Sequence, residues 1–394
     1  MDMHQIAIVG GGPSGSTCGE RLAREGCDVT IYDERLAWEK PCGGGLTHKA
    51  LVAYPFLLQG PHPKKLVTTV ELISSGAHRA RLNLDHPIVI YSRTVLNGLL
   101  LDRAAAAGCK VVAARVTQID ASGRRVRLTA AGATVEADFA VIATGARNAL
   151  LPGTTPLERG ELEMTLGYFV PSHGDTIQVK FLPHFEGYIW SFPRSDHLSV
   201  GICGSMTRHT SQQLRTSLQN FLADEHISTA GARFYSHVLP SPQMQTLRGR
   251  CIASSNWALA GDAAALVDPI TGEGLYYALR SGELLAESLL DGCVTQYPAR
   301  VRADFSRDLE FATRVARQVY RGNFLGGSVT TRMIQFIGRS ATFQTLMADL
   351  FSGAQDYASL KRRLWSQFGM TLSEVVASLL RPRTSLARQT IGGA

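Results

Sequence analysis

Apolar runs and helical stripes alternate from the first residues of the chain. Gln5-Ile-Ala-Ile-Val9 predicts a buried strand, the residues after Gly10-Gly-Gly-Pro-Ser-Gly15 a helix through Glu25, and Asp28-Val-Thr-Ile-Tyr32 a second strand ending at Asp33. Tyr91-Ser-Arg-Thr-Val-Leu96 opens a helix predicted to run through Ala107, followed by the strand Lys110-Val-Val-Ala113 and a buried strand within Asp138-Phe-Ala-Val-Ile-Ala-Thr-Gly145. Between Leu151 and Leu247 the pattern changes to alternating segments such as Leu166-Gly-Tyr-Phe-Val170, Thr176-Ile-Gln-Val-Lys-Phe181 and Leu198-Ser-Val-Gly-Ile-Cys203, which predict an antiparallel sheet. Helical spacing returns at Leu275, Ala278, Leu279, Gly282, Leu285, Ala286 and Leu289, and residues 299–394 are mostly helical in pattern, with Gly322-Asn-Phe-Leu-Gly-Gly-Ser328 expected as an internal loop. No internal repeat is visible.

Composition adds limits. With 394 residues, 45% apolar and 19% charged, the chain is long enough for two or three units sharing a core and is not generally disordered. No basic and apolar leader opens it and no apolar run approaches the roughly 20 residues of a membrane span, so a cytoplasmic protein is expected. Seven scattered cysteines without a C-x-x-C pair argue against a disulfide framework and against a zinc or iron–sulfur site. The net charge of +7 is concentrated: residues 299–394 hold 14 Lys/Arg against 6 Asp/Glu, leaving 26 against 27 before them. Those arginines are interleaved with Leu, Phe, Ile and Met rather than run together, which fits a solvated or membrane-facing helical surface and not nucleic acid.

Two glycine motifs carry the chemistry. Gly10-x-Gly12-x-x-Gly15 follows a strand and opens a helix, so its N–H groups can hold a pyrophosphate while Asp33 stands where an acid reaches a ribose hydroxyl. Far downstream, Leu259-Ala-Gly-Asp-Ala-Ala-Ala-Leu-Val-Asp-Pro-Ile-Thr-Gly-Glu-Gly-Leu-Tyr-Tyr-Ala-Leu279 joins a strand end, an acidic turn and a glycine-opened helix. Asp262 can accept from a ribityl or ribose hydroxyl, and Gly272 and Gly274 let backbone approach a flat ligand beneath a helix N-terminus. Glu39-Lys-Pro-Cys-Gly-Gly-Gly-Leu46 is a backbone-presenting loop in which Cys42 is hard to explain as core filler. In Gly187-Tyr-Ile-Trp-Ser-Phe-Pro193, the aromatics 188, 190 and 192 face one side of a strand, as sheet core or as a ligand wall.

The two glycine motifs together resemble the FAD-binding fold of the para-hydroxybenzoate hydroxylase superfamily. Within it, Lys40-Pro-Cys-Gly-Gly-Gly45, Tyr188-x-Trp190-x-Phe192-Pro193 and Gly261-Asp262 through Ala278 are similar to the geranylgeranyl reductase family over roughly the first 290 residues. The resemblance implies a mixed α/β fold, with a Rossmann-type FAD-binding domain (1–45, 85–150 and 250–298), an antiparallel-sheet substrate domain (46–84 and 151–249) and a C-terminal helical segment (299–394). It implies cofactor contacts from Gly10, Gly12, Pro13, Ser14, Gly15, Asp33, Glu34, Cys42, Gly43, Gly44, Arg93, Thr144, Gly145, Gly261, Asp262, Pro269, Gly272, Gly274 and Leu275.

The implied activity is saturation of isoprenoid carbon–carbon double bonds, by hydride from the reduced flavin and a proton. An isolated alkene has no carbonyl to withdraw electrons, so a proton donor is required. Cys42 and Tyr188 are the candidates, and the ring face of Trp190 can stabilise cationic character. Ala143-Thr-Gly-Ala-Arg147 lacks the Asp-Gly that superfamily hydroxylases carry, which argues against direct reduction by NADPH and for a ferredoxin or a separate NADPH-dependent reductase. The basic, apolar-studded segment 299–394 fits contact with a membrane surface that holds the substrate. Two rivals stay open: an aromatic monooxygenase or halogenase on the same fold, and a non-catalytic flavoprotein carrier or sensor.

Overall fold

The computed structural model describes residues 5–147, 150 and 156–380; residues 1–4, the first residues of the substrate-domain segment expected from 151 and the end of the helical segment expected through 394 lie outside these. A five-stranded parallel sheet sits at the centre, built from Gln5–Val9, Asp28–Tyr32, Lys110–Val112, Phe139–Ile142 and Trp257–Leu259. Its strands are apolar runs because both faces are covered: Ile6, Ile8, Val29, Ile31 and all four residues of Phe139–Ile142 are buried. The helices Pro13–Arg24 and Leu275–Leu290 pack side by side against it. Gly282 permits their close approach, since a Cβ there would lie 2.3 Å from the Ser14 carbonyl oxygen. The predicted strand-turn-helix-strand unit thus stands within a residue or two of its expected limits.

A second, eight-stranded sheet lies over this unit. It is mixed rather than wholly antiparallel, because Ile177–Lys180 pairs in parallel with Lys65–Ile73. Lys65–Ile73 and Arg79–Ile90 form a long hairpin of this sheet, so the second strand runs through residue 85, where the FAD-binding segment was expected to resume. One face of the sheet takes Leu166, Ile189, Val200 and Ile202 against the helix Ser211–Asp224, through Leu214, Leu218 and Phe221. The opposite face, one residue out of phase along each strand, is left for the cavity described below. A separate three-stranded sheet at Val116–Asp120, Val126–Ala130 and Ala133–Ala137, not anticipated from the sequence, shares the hydrophobic core of the parallel sheet.

The C-terminal segment is helical, from Arg307–Arg321 to Phe368–Leu380. Its apolar residues Ile334, Ile337, Leu346 and Met347 pack on Val67, Val70, Leu82 and Ile90 of the long hairpin. The expected loop at 322–328 is instead a tight hairpin, Asn323–Phe324 against Gly327–Ser328, with Leu325 and Gly326 both at positive φ in its turn. Among the described residues no helix is long and apolar enough to cross a membrane. Cys18, Cys109 and Cys203 are buried, Cys27, Cys42 and Cys293 are half-buried, and Cys251 is exposed.

Candidate active site

Four strands of the mixed sheet set their side chains in rows that wall a cavity of about 1850 Å³. Tyr188, Cys203, Thr165 and His237 make one row; Trp190, Gly201, Gly167 and Tyr235 make the next; Phe192, Ser199, Phe169 and Arg233 make the third. The glycines of the middle row make room for its aromatics. A Cβ on Gly201 would sit 2.5 Å from Trp190 Cζ2, and one on Gly167 2.5 Å from the Tyr235 hydroxyl. Trp190 is 6% exposed, and among the described residues its indole N–H has no acceptor. Burial, reinforced by the Lys40 ammonium, pushes the His237 imidazole down to about 3, so it is neutral at physiological pH.

The polar end of the cavity lies between two helix N-termini. Pro13–Arg24 begins at Gly12, where an added Cβ would meet nothing within 4 Å. Gly10, at φ +110°, brings backbone so close to Ala143 that a Cβ would lie 2.3 Å from its carbonyl oxygen. Asp33 closes the turn by accepting from the Gly11 N–H at 2.7 Å and from the N–H groups of Arg35 and Leu36 at 2.8 and 3.1 Å. Leu275–Leu290 begins at Gly274, beside Asp262. Burial alone would raise the Asp262 carboxyl, but the Lys40 ammonium at 3.1 Å holds it below its ordinary value. Thr144 Oγ1 is buried at this end with no partner among the described residues.

The cysteine loop is held between these elements by a buried ion pair. Arg194, fully buried, pairs with Glu39 and donates to the Cys42 carbonyl, which also accepts from Ser199 Oγ at 2.9 Å. Glu39 in turn accepts from the N–H groups of Arg93 at 2.9 Å and Thr94 at 3.2 Å, at the start of the helix Arg93–Ala106. Burial would raise the Glu39 carboxyl; the guanidinium of Arg194 holds it below the ordinary value. Arg93, 3% exposed, donates to Asn97 Oδ1 at 3.0 Å and lines the cavity. The Gly44 N–H donates to Cys42 Sγ at 3.3 Å, and Gly44 at φ +83° lies so close to Tyr91 that a Cβ would sit 2.2 Å from its carbonyl oxygen.

Tyr188, named from the sequence as a proton source, donates its hydroxyl hydrogen to the Thr271 carbonyl, and burial pushes its ionisation well above the ordinary value. It therefore ties the loop 268–274 to the sheet. The same loop is fastened from the C-terminal side, where the Tyr357 hydroxyl donates to Asp268 at 2.8 Å, and from the helix His48–Ala53, where Lys49 pairs with Glu273 at 2.6 Å. Beyond it the cavity becomes apolar. Ile177, Val179 and Phe181 of the sheet face Val319, Met333 and Met347 of the C-terminal helices, and the lining continues to Trp365 and Phe368. Those last two are 74% and 58% exposed, so they form a mouth.

Gly10, Gly12, Pro13, Ser14, Asp33, Glu34, Cys42, Gly43, Gly44, Arg93, Thr144, Gly145, Tyr188, Trp190, Asp262, Gly272, Gly274 and Leu275 all line this one cavity. Gly15, Gly261 and Pro269 do not: Gly15 and Gly261 pack against Gly10 and Ser14, and Pro269 sits in the turn whose N–H groups Asp268 accepts. Sequence reasoning missed Glu39, Asn97, Arg194, Tyr235 and His237. Glu39 and Arg194 flank the two recognised motifs, which was a usable signal; Tyr235 and His237 lie on a strand with no motif of its own.

A glycine turn on a parallel sheet, a second Gly-Asp turn beside it and a sheet closing over both define an FAD-dependent oxidoreductase. The pyridine nucleotide-disulphide oxidoreductase family matches residues 4–181. The chain is 30% identical to the menaquinone reductase of Mycobacterium tuberculosis over 84% of its length and 88% of that protein. It is 26% identical to the chloroplastic geranylgeranyl diphosphate reductase of Nicotiana tabacum over 73% of its length, and spans 66% of that protein. A geranylgeranyl bacteriochlorophyll reductase-like protein from Thermoplasma acidophilum has the same fold, with a TM-score of 0.73 at 21% identity over 92% of this chain and 98% of that one. The chain belongs to the geranylgeranyl reductase family of FAD-dependent oxidoreductases, and its cofactor is FAD.

Proposed function

We propose that the protein saturates carbon–carbon double bonds in the prenyl chain of an isoprenoid lipid. The observation that carries this reading is the continuous cavity with one polar and one apolar end. Single-ligand pockets measure roughly 300–1,000 Å³; at about 1850 Å³ this one has room for a dinucleotide and a long apolar chain together. The family relatives named for menaquinone and for geranylgeranyl diphosphate act on molecules with such chains.

The polar end fits FAD on the chain's own chemistry. The helix N-termini at Gly12 and Gly274 present unpaired N–H groups to a pyrophosphate, Asp33 and Asp262 offer carboxylate acceptors to hydroxyls, and the unpartnered Thr144 hydroxyl lacks a bond that a ligand would supply. Arg93, Cys42, Gly43 and Gly44 complete that wall. When bound and reduced, FAD supplies the hydride equivalent. The residues around it exclude water through Phe192, Trp190 and Tyr235, and the indole face of Trp190 stabilises positive charge developing on the alkene. The missing Asp-Gly at Ala143–Arg147 supports reduction by a ferredoxin or a separate NADPH-dependent reductase.

Anaerobic incubation of the dithionite-reduced holoenzyme with a geranylgeranyl lipid, followed by mass spectrometry, tests the reading. Each saturated bond adds two hydrogens. Trp190→Ala is expected to cut the single-turnover yield by about 10²-fold with FAD retained. An unchanged lipid beside bound, reducible FAD rejects this substrate class, and oxygen uptake with an aromatic substrate then moves the assignment to a monooxygenase.

The mouth fits an anionic membrane surface. Phe324, Leu325, Trp365, Phe368, Met370 and Leu372 are exposed there or on the adjoining helix, and the exposed cations Lys361 and Arg362 stand one turn before Trp365. The protein is expected to float with phosphatidylglycerol-containing vesicles, and Trp365→Ser with Phe368→Ser to lower the bound fraction by about tenfold, equivalent to roughly 1.4 kcal/mol of lost apolar contact. Equal flotation of variant and wild type rejects this surface.

A further inference from the structure

One buried carboxyl beside the cavity has no part in the scheme above. Glu163 continues the cavity-facing phase of Thr165, Gly167 and Phe169 on the strand Leu162–Val170, paired with Ser205 and Leu239. It is 8% exposed, and its Oε1 accepts from Ser241 Oγ at 3.1 Å. Ser241 is half-buried, just past the end of the strand Arg233–Pro240. Toward the cavity the neighbour of Glu163 is Cys203, whose thiol also approaches the Tyr188 carbonyl at 3.8 Å and which lines the cavity in the row next to Trp190. The other titratable groups facing it are Glu186, just before Gly187–Pro193 and itself paired with Arg208 at 2.8 Å and Arg321 at 3.5 Å, Tyr188 from that strand and Tyr320 from Arg307–Arg321. His237, one row away, is neutral.

We propose that Glu163 is the proton store for double-bond reduction and that Cys203 is its outlet into the cavity. This rests on the reductase reading above. One alkene carbon takes the hydride equivalent, and the other takes the proton of the Cys203 thiol. The Glu163 carboxyl proton moves to the Cys203 sulfur, and solvent returns a proton to the carboxylate through Ser241. The alkene gains two hydrogens, the electron pair comes from the reduced cofactor, and both side chains end as they began. Burial, with the Glu186 charge adding to it, lifts the Glu163 carboxyl to about 7 against the opposing bonds from Cys203 and Ser241, so it still carries its proton near neutrality. Burial also keeps the Cys203 thiol protonated, its ionisation well above the ordinary value, so a thiolate left there takes the Glu163 proton.

The acid form is the active one, so the single-turnover rate of the reduced holoenzyme on a geranylgeranyl lipid is expected to fall as pH rises through about 7. Glu163→Gln lowers the rate by about 10²-fold and flattens that profile; Glu163→Asp restores part of it, and Cys203→Ser keeps more activity than Cys203→Ala. Infrared titration reads the same group without substrate: a carboxylic acid band lost as pH rises through about 7 and absent from Glu163→Gln. Wild-type rate and profile in Glu163→Gln, or a Glu163 already ionised at pH well below 7, overturns the proposal alone. A wild type that binds reducible FAD and reduces no prenyl lipid removes the reading and the proposal together.

Discussion

Arg194→Met is expected to remove about 3–5 kcal/mol of folding stability and most of the bound FAD. The guanidinium is fully buried, and its removal leaves the Glu39 carboxylate, itself only 11% exposed, without its cation. Taking one member from a buried pair is costly because the remaining charge is neither solvated nor neutralised. The damage reaches the site because the pair holds both its neighbours in place. Glu39 holds the first N–H groups of Arg93–Ala106, and Arg194 and Ser199 hold the Cys42 carbonyl. Urea denaturation and flavin absorbance after gel filtration measure both effects. The double variant Arg194→Met with Glu39→Gln is expected to recover part of the stability, since the orphaned charge is gone, while the Cys42 loop stays unanchored and FAD occupancy stays low. A single variant that unfolds at the wild-type urea concentration with its FAD in place defeats this account of the loop.

Gly201→Val is expected to lower prenyl-chain reduction by at least about 10²-fold while FAD remains bound. Only hydrogen at this position leaves space for the Trp190 ring on one side and the Tyr235 hydroxyl, 2.7 Å from the ideal Cβ, on the other. A branched side chain must push the indole out over the cavity, and displacement of a wall residue by about 1 Å is enough for a loss of that size. The dinucleotide end is made by other elements, so flavin content is the internal control. Overpacking itself costs about 1–3 kcal/mol, and pairing Gly201→Val with Trp190→Ala is expected to return that stability without returning activity. Single-turnover lipid analysis alongside thermal denaturation separates the two. A Gly201→Val protein with wild-type turnover shows that the indole's position is not part of the chemistry.

The contrast between these two positions and the glycine turns marks what can be read along a chain. The dinucleotide unit is legible along the chain, because strand, Gly10-x-Gly12-x-x-Gly15, helix and Asp33 are local: each constraint acts on backbone within about thirty residues. So are the second helix at Leu275 and the alternation at Tyr188, Trp190 and Phe192, which follow from helical and strand periods. Tertiary structure alone decided which strands stand beside one another. Parallel pairing of Ile177–Lys180 with Lys65–Ile73, across more than a hundred residues, has no local signature. Nor does the register that sets Gly201 and Gly167 beside the aromatics of neighbouring strands. The buried pair Glu39–Arg194 spans 155 positions, and two charged residues in a sequence read as surface until packing removes water from them both. Glu163 is the same case with only a hydroxyl, Ser241, for a partner: its place beside the cavity comes from strand register, and its unusual acidity comes from burial, which exists only once the sheet has closed over the site.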